Sequence, residues 1–114
     1  MHLWDFSRAV QYDQLEPRLA VARRAIQSNP DDPAALAILG EWYAFRGMWD
    51  WGAELLERAR AAGGEVPAVT LARCYWQTGD VAKARREFER AMERKEAPDL
   101  YLNLCIEALA DSAR

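Results

Sequence analysis

Few side chains in this chain of 114 residues could do chemistry, and they are poorly grouped. The single histidine, His2, stands next to the N-terminus, where a solvated side chain is the ordinary case. Cys74 and Cys105 fall within apolar stripes of helical spacing, so burial as small packing residues is expected of both. A reactive thiolate would need a neighbouring base, and no histidine lies in their part of the chain. Two cysteines without CxxC spacing support neither a disulfide framework nor a structural zinc site. Glu54, Glu57, Glu87, Glu89 and Glu93 are plentiful carboxylates, but Arg58, Arg86 and Arg90 interleave with them at three- and four-residue spacing. That is the pattern of a solvated helix surface with weak ion pairs. Gly63-Gly64 is too short for a phosphate loop and lacks the following Lys-Ser/Thr. No active site, metal site or cofactor is expected, and the chain reads as a non-enzymatic protein.

Helices must position whatever the chain does carry. Asn29-Pro30-Asp31-Asp32-Pro33, Ala62-Gly63-Gly64-Glu65-Val66-Pro67 and Ala97-Pro98-Asp99 interrupt the sequence, with shorter breaks at Arg46-Gly47 and Thr78-Gly79-Asp80. Between the breaks, apolar residues recur at helical spacing, and no segment alternates for long enough to suggest a strand. The expected inner stripes are Leu15, Leu19, Ala22 and Ile26; Leu36, Leu39 and Tyr43; Ala53, Leu56 and Ala59; Ala68, Leu71, Ala72 and Tyr75; Val81, Ala84, Phe88, Ala91 and Met92; and Leu100, Leu104 and Leu109. A further short helix is expected over residues 3–11. Asp31-Asp32 and Asp80 are suited to cap helices or turns. About six helices joined by short turns predict an all-α fold in one domain covering 1–114.

Composition narrows the function classes. Fifteen basic against 18 acidic residues give a net charge of −3, which does not favour nucleic acid or an anionic membrane surface. No apolar run approaches the ~18 residues of a membrane helix, and the first residues show no signal-peptide pattern. The basic residues are 13 Arg and 2 Lys, and alanine is the commonest residue. That bias is associated with GC-rich bacterial genomes. A cytoplasmic domain is the expectation.

The helices also repeat. Leu39 and Leu71 are 32 residues apart, Leu71 and Leu104 are 33 apart, and Gly47 and Gly79 are again 32 apart. Leu36-x2-Leu39-Gly40-x2-Tyr43 is followed by Gly52-x3-Leu56-x2-Ala59, and Ala68-x2-Leu71-Ala72-x2-Tyr75 by Ala84-x3-Phe88-x2-Ala91. Tyr101-x2-Leu104-Cys105-x2-Ala108 starts a third unit without a partner helix, and Arg18-x3-Ala22-x2-Ala25 ends a degenerate first one. In spacing and residue type these units resemble the tetratricopeptide repeat family. The resemblance implies stacked antiparallel helix pairs forming a short α-solenoid: a degenerate hairpin at 3–30, repeats at 33–63 and 65–96, and a terminal or capping helix at 98–112. Gly40, Ala72 and Cys105 would be small because paired helices cross there, and Gly47 and Gly79 would turn the chain with positive φ. The second unit arrives early, and Gly64 stands where the family usually has proline.

In that family the first helices of each pair line a concave groove for a peptide. Mapped onto this chain, the groove-facing residues are Ala37, Ile38, Glu41, Ala44 and Phe45, then Val69, Thr70, Arg73, Trp76 and Gln77, then Leu102, Asn103 and Ile106. Phe45 and Trp76 are the expected apolar anchors, with Glu41, Arg73 and Asn103 fixing register. Trp42 is expected in the core and Trp49 in a packing role, while Trp51 falls where a polar residue is common and is a candidate exposed anchor. Trp4 and Phe6 are candidates to cap the first hairpin or to dock on another chain. The implied function is a protein–protein interaction module, an adaptor, chaperone or accessory subunit that binds another protein or a peptide segment, without nucleic acid and without membrane insertion. The alternative is a structural subunit or homo-oligomer joined through its end helices. An RNA-binding helical array would need a basic groove, which Arg73 alone does not supply. The basic residues of 83–95 are offset by Glu87, Glu89, Glu93 and Glu96, so that helix reads as a solvated face.

Overall fold

The computed structural model describes residues 17–112, and every regular element among them is an α-helix. Helix α1 covers 17–28. It is followed by α2 (Pro33–Phe45), α3 (Trp49–Ala61), α4 (Ala68–Thr78), α5 (Val81–Glu93) and α6 (Asp99–Ser112). The expected helix at 3–11, with His2, Trp4, Phe6 and Leu15, lies outside the described residues. Helices α2 and α3 form one antiparallel pair, α4 and α5 a second, and α6 packs on α5 as α4 packs on α3. The all-α expectation therefore holds.

Local signals start and stop these helices in a repeating way. The Asp32 carboxylate accepts a hydrogen bond from the Ala35 amide at 2.9 Å, and that of Asp80 accepts one from Lys83 at 3.2 Å, each satisfying a donor that the helix leaves open. Helix α2 ends with Gly47 at φ +82° and the Met48 amide donating to the Tyr43 carbonyl. Thirty-two residues on, α4 ends with Gly79 at φ +89° and the Asp80 amide donating to the Tyr75 carbonyl. The second helices end alike: Gly63 at φ +89° with Gly64 donating to Ala59, and Lys95 at φ +56° with Glu96 donating to Ala91. Left-handed residues at these ends satisfy the last carbonyls and reverse the chain. A proline would not fit at Gly64, because its amide makes one of these bonds and a Cβ there would already lie 2.7 Å from that of Pro33.

The core runs through both pairs. Leu36, Leu56, Leu71, Phe88, Leu102 and Leu109 are its largest fully buried side chains, with alanines 35, 44, 59, 68, 72, 84 and 91 between them. A Cβ on Gly40 would sit 2.8 Å from Leu56 Cγ and 3.1 Å from its backbone nitrogen, so α2 and α3 cross at a distance that only glycine allows. Ala72 and Cys105, the matching positions, are also buried.

Three expectations need correction. Leu100 and Leu104 are 74% and 57% exposed, and the buried face of α6 is carried by Leu102, Cys105 and Leu109 instead. Leu104 matches the buried Leu71, but α4 has α5 folded over it, whereas no described helix follows α6. Trp42 is only half buried and lies outside the main core. Glu87 is not part of a solvated face: it is 6% exposed, and its carboxylate accepts two hydrogen bonds from Arg60, at 2.8 and 2.9 Å, plus longer ones from Arg90. Desolvation of that carboxylate is offset by a bidentate pair joining α3 to α5. Glu96 also departs from the surface reading, because it accepts from the Ala68 and Val69 amides at 3.2 and 3.0 Å and so caps α4 from 28 and 27 residues away.

Candidate functional site

The residues mapped to a binding face separate into rows when the first helices are aligned on the crossing positions Gly40, Ala72 and Cys105. Two rows belong to the core. Ala37 and Leu102 are buried and Val69, between them in register, packs against the core. Ala44 and Leu109 are likewise buried, and Trp76 shares their row. Expecting Ala37, Ala44 and Leu102 on an open groove was therefore wrong, because these rows are where one helix meets the next. Trp76 is too large to vanish there. It is half buried, packs on the core and meets Phe88 edge-to-face at 5.8 Å and 88°.

Three rows remain accessible. They hold Ile38, Thr70 and Asn103; Glu41, Arg73 and Ile106; and Phe45, Gln77 and Ala110. Ile38, Glu41, Phe45, Thr70 and Ile106 are half buried, while Arg73, Gln77 and Asn103 are exposed. One row thus carries an acid on α2, a base on α4 and an apolar residue on α6. Partial burial raises the Glu41 carboxyl above its ordinary range, and the Arg18 charge on α1 opposes that rise.

Arg73 is the most defined group on this face. Its Nη2 and Nε donate to the Tyr101 hydroxyl at 2.7 and 3.2 Å, and its guanidinium lies 5.5 Å from the Tyr101 ring centre. No carboxylate pairs with it among the described residues. Tyr101 is 39% exposed, and sequence reasoning placed it only in the repeat pattern. Its link to Arg73 spans 28 positions, which no local spacing shows.

A second group gathers at the turn between α2 and α3. Trp51 is 55% exposed, in agreement with its atypical position. Its ring meets Tyr43 edge-to-face at 5.5 Å, Tyr43 meets Trp42 at 5.2 Å, and the Arg46 and Arg23 guanidinium groups lie 4.4 and 5.5 Å from the Trp42 ring centre. The aromatic expected in the core is instead held between cations. Gln77, at the end of α4, lines a shallow recess of about 500 Å³ with Trp51, so two of the selected residues come together there. Trp49 packs on the core as expected.

Both cysteines and Tyr75 are buried. Cys74 is fully buried, and desolvation pushes its thiol up to about 12. Cys105 is also buried and free. Tyr75 donates to Glu57, and burial followed by that hydrogen bond raises its phenol well above the ordinary range. Among the described residues no group of three or more His, Cys, Asp or Glu side chains could hold a metal ion, and no helix is long and apolar enough to cross a membrane. Comparison with family models, with curated proteins and with solved structures returned no match.

Proposed function

We propose that this chain is a short tetratricopeptide-like array acting as a non-enzymatic adaptor, chaperone or accessory subunit that binds a segment of another protein across the accessible rows of α2, α4 and α6. The observation that carries this reading is Arg73. A guanidinium held by Tyr101, exposed and without a carboxylate partner among the described residues, keeps donors ready for a partner's acidic or carbonyl oxygen. Ile38, Phe45 and Ile106 supply apolar surface on either side of it, and Thr70, Gln77 and Asn103 supply hydrogen-bonding groups. Because α4 holds Arg73 while α6 holds Tyr101, the donor is fixed before a partner arrives, which lowers the entropy lost on binding.

A tagged chain used to capture proteins from its host, beside an Arg73→Ala variant with unchanged helical circular dichroism, tests this. A partner retained by the parent and lost by the variant supports the reading. Equal retention removes Arg73 and its face from it. The second reading, a homo-oligomer or fixed subunit, is favoured by Leu100 and Leu104 on the open side of α6. A sedimentation mass that rises with concentration in the parent but not in Leu104→Glu would favour that reading instead.

A further inference from the structure

The recess at the α2–α3 turn is separate from the Arg73 face in its chemistry. Its apolar wall is Trp51, Met48 and the half-buried Trp49; Gln77 closes the other side, and Asp50 supplies the one charge. Trp51 is not a loose side chain, since the edge-to-face row through Tyr43 to Trp42 orients its ring. The two ends of that row differ. Trp42 has guanidinium groups at 4.4 and 5.5 Å, from Arg46 and Arg23, so one end already binds cations supplied by the chain itself. The Trp51 end has no cation over its ring among the described residues, yet Asp50 precedes it and Glu54 follows one turn later. Both are exposed, and neither forms an ion pair within the described chain.

We propose that this recess is a docking site for a basic segment of a protein partner, with an arginine side chain laid over the Trp51 ring and its guanidinium directed to the Asp50 carboxylate. Indole is the best cation–π acceptor among the side chains, and a planar guanidinium both stacks on it and pairs with a carboxylate. Charge complementarity selects the occupant: the exposed carboxylates beside the ring repel an acidic segment, and an apolar one would leave Asp50 without a counter-charge. The site takes a different chemistry from the Arg73 face, so either can fail without the other.

The probe is a fluorescein-labelled peptide of alternating arginine and glycine, compared with the same peptide carrying citrulline, which keeps the shape and removes the charge. Fluorescence anisotropy at physiological salt reads binding to the full chain, and quenching of tryptophan emission reads contact with the ring. The expected result is that the arginine peptide binds and the citrulline peptide binds roughly fivefold or more weakly. Trp51→Ala and Asp50→Asn should each weaken the arginine peptide to a similar degree with unchanged helical circular dichroism, while Glu93→Gln, which removes an exposed carboxylate from α5 outside the recess, leaves it in place. If Trp51→Ala fails to fold, Trp51→Leu keeps an apolar wall and removes the ring. Equal binding of the two peptides, binding insensitive to both Trp51 and Asp50, or no binding at millimolar peptide would each overturn the proposal.

Discussion

The pairs α2–α3 and α4–α5 share one backbone plan and differ in what they leave outside. Both bring helices together over a small residue, both end their first helix on a left-handed glycine, and both close their second helix with the same hydrogen bond. Their surfaces are unlike. On α5 three of the four bases have acidic partners close at hand, Arg85 with Glu89, Lys83 with Asp80, and Arg90 with Glu87, and only Arg86 has none among the described residues. At the start of α3, Asp50 and Glu54 form no ion pair among the described residues and flank an exposed indole in sequence. Positions set by packing recur with the period, whereas positions free of packing have diverged, and the divergent ones carry the candidate binding chemistry. A helix whose charges are mostly paired with one another offers less to a partner than a few unpaired groups on a rigid aromatic support.

The comparison breaks most severely at Gly40. Ala72 shows that the second pair tolerates a Cβ at its crossing, but a Cβ at Gly40 already meets Leu56 side chain and backbone. Gly40→Leu should destabilise the chain by about 3 kcal/mol or unfold it outright. Thermal unfolding followed by circular dichroism checks this, and an unchanged midpoint would mean that the crossing is misplaced.

A smaller effect is expected where the pairs differ in a single left-handed residue. Lys95 adopts φ +56° at the position that Gly63 fills in the first pair. Lys95→Gly should raise stability by roughly 0.5–1 kcal/mol, because glycine relieves the Cβ penalty, less the entropy it regains in the unfolded chain. That change corresponds to a midpoint shift of about 4–8 °C per kcal/mol in a domain of this size. A fall in the midpoint would show that the Lys95–Asp99 contact at 3.5 Å outweighs the backbone strain.

The mildest test concerns the row shared by Glu41 and Arg73. Burial raises the Glu41 carboxyl in the folded state above its unfolded value, so the folded chain takes up its proton at higher pH than the unfolded one. Folding stability from this group therefore rises as pH falls through the folded value and is diminished at neutral pH, where the charge must be kept partly buried. Glu41→Gln should be slightly more stable than the parent at pH 7, with the gain shrinking toward pH 4. Denaturant titrations across that range check the sign; a parent more stable than the variant at pH 7 would mean that Arg18 outweighs the burial.

Much of the fold was legible because the packing positions obey two periods at once, the helical one and the repeat. Leu36, Leu56, Leu71, Ala84, Phe88 and Ala91 could be placed in the core from spacing alone. Leu100 and Leu104 could not, since Leu104 has the same spacing as Leu71 and yet lies exposed on α6, which no described helix follows. The candidate binding face was half legible. Register showed which residues share a row, and Trp51 stood out by type, but Ala37, Ala44 and Leu102 were assigned to the wrong side.

Local rules in the sequence were enough to determine the helices, their turns and the small crossing residues, because capping, left-handed turns and apolar period act within a few residues. Tertiary structure alone decided that Glu87 is buried between two arginines, that Glu96 caps a helix 27 residues back, that Arg73 rests on Tyr101, and that Trp51 stands at the open end of an aromatic row. Each of these joins side chains from different turns or helices. Their energies depend on distance and burial in the assembled fold, quantities that spacing along one helix does not contain.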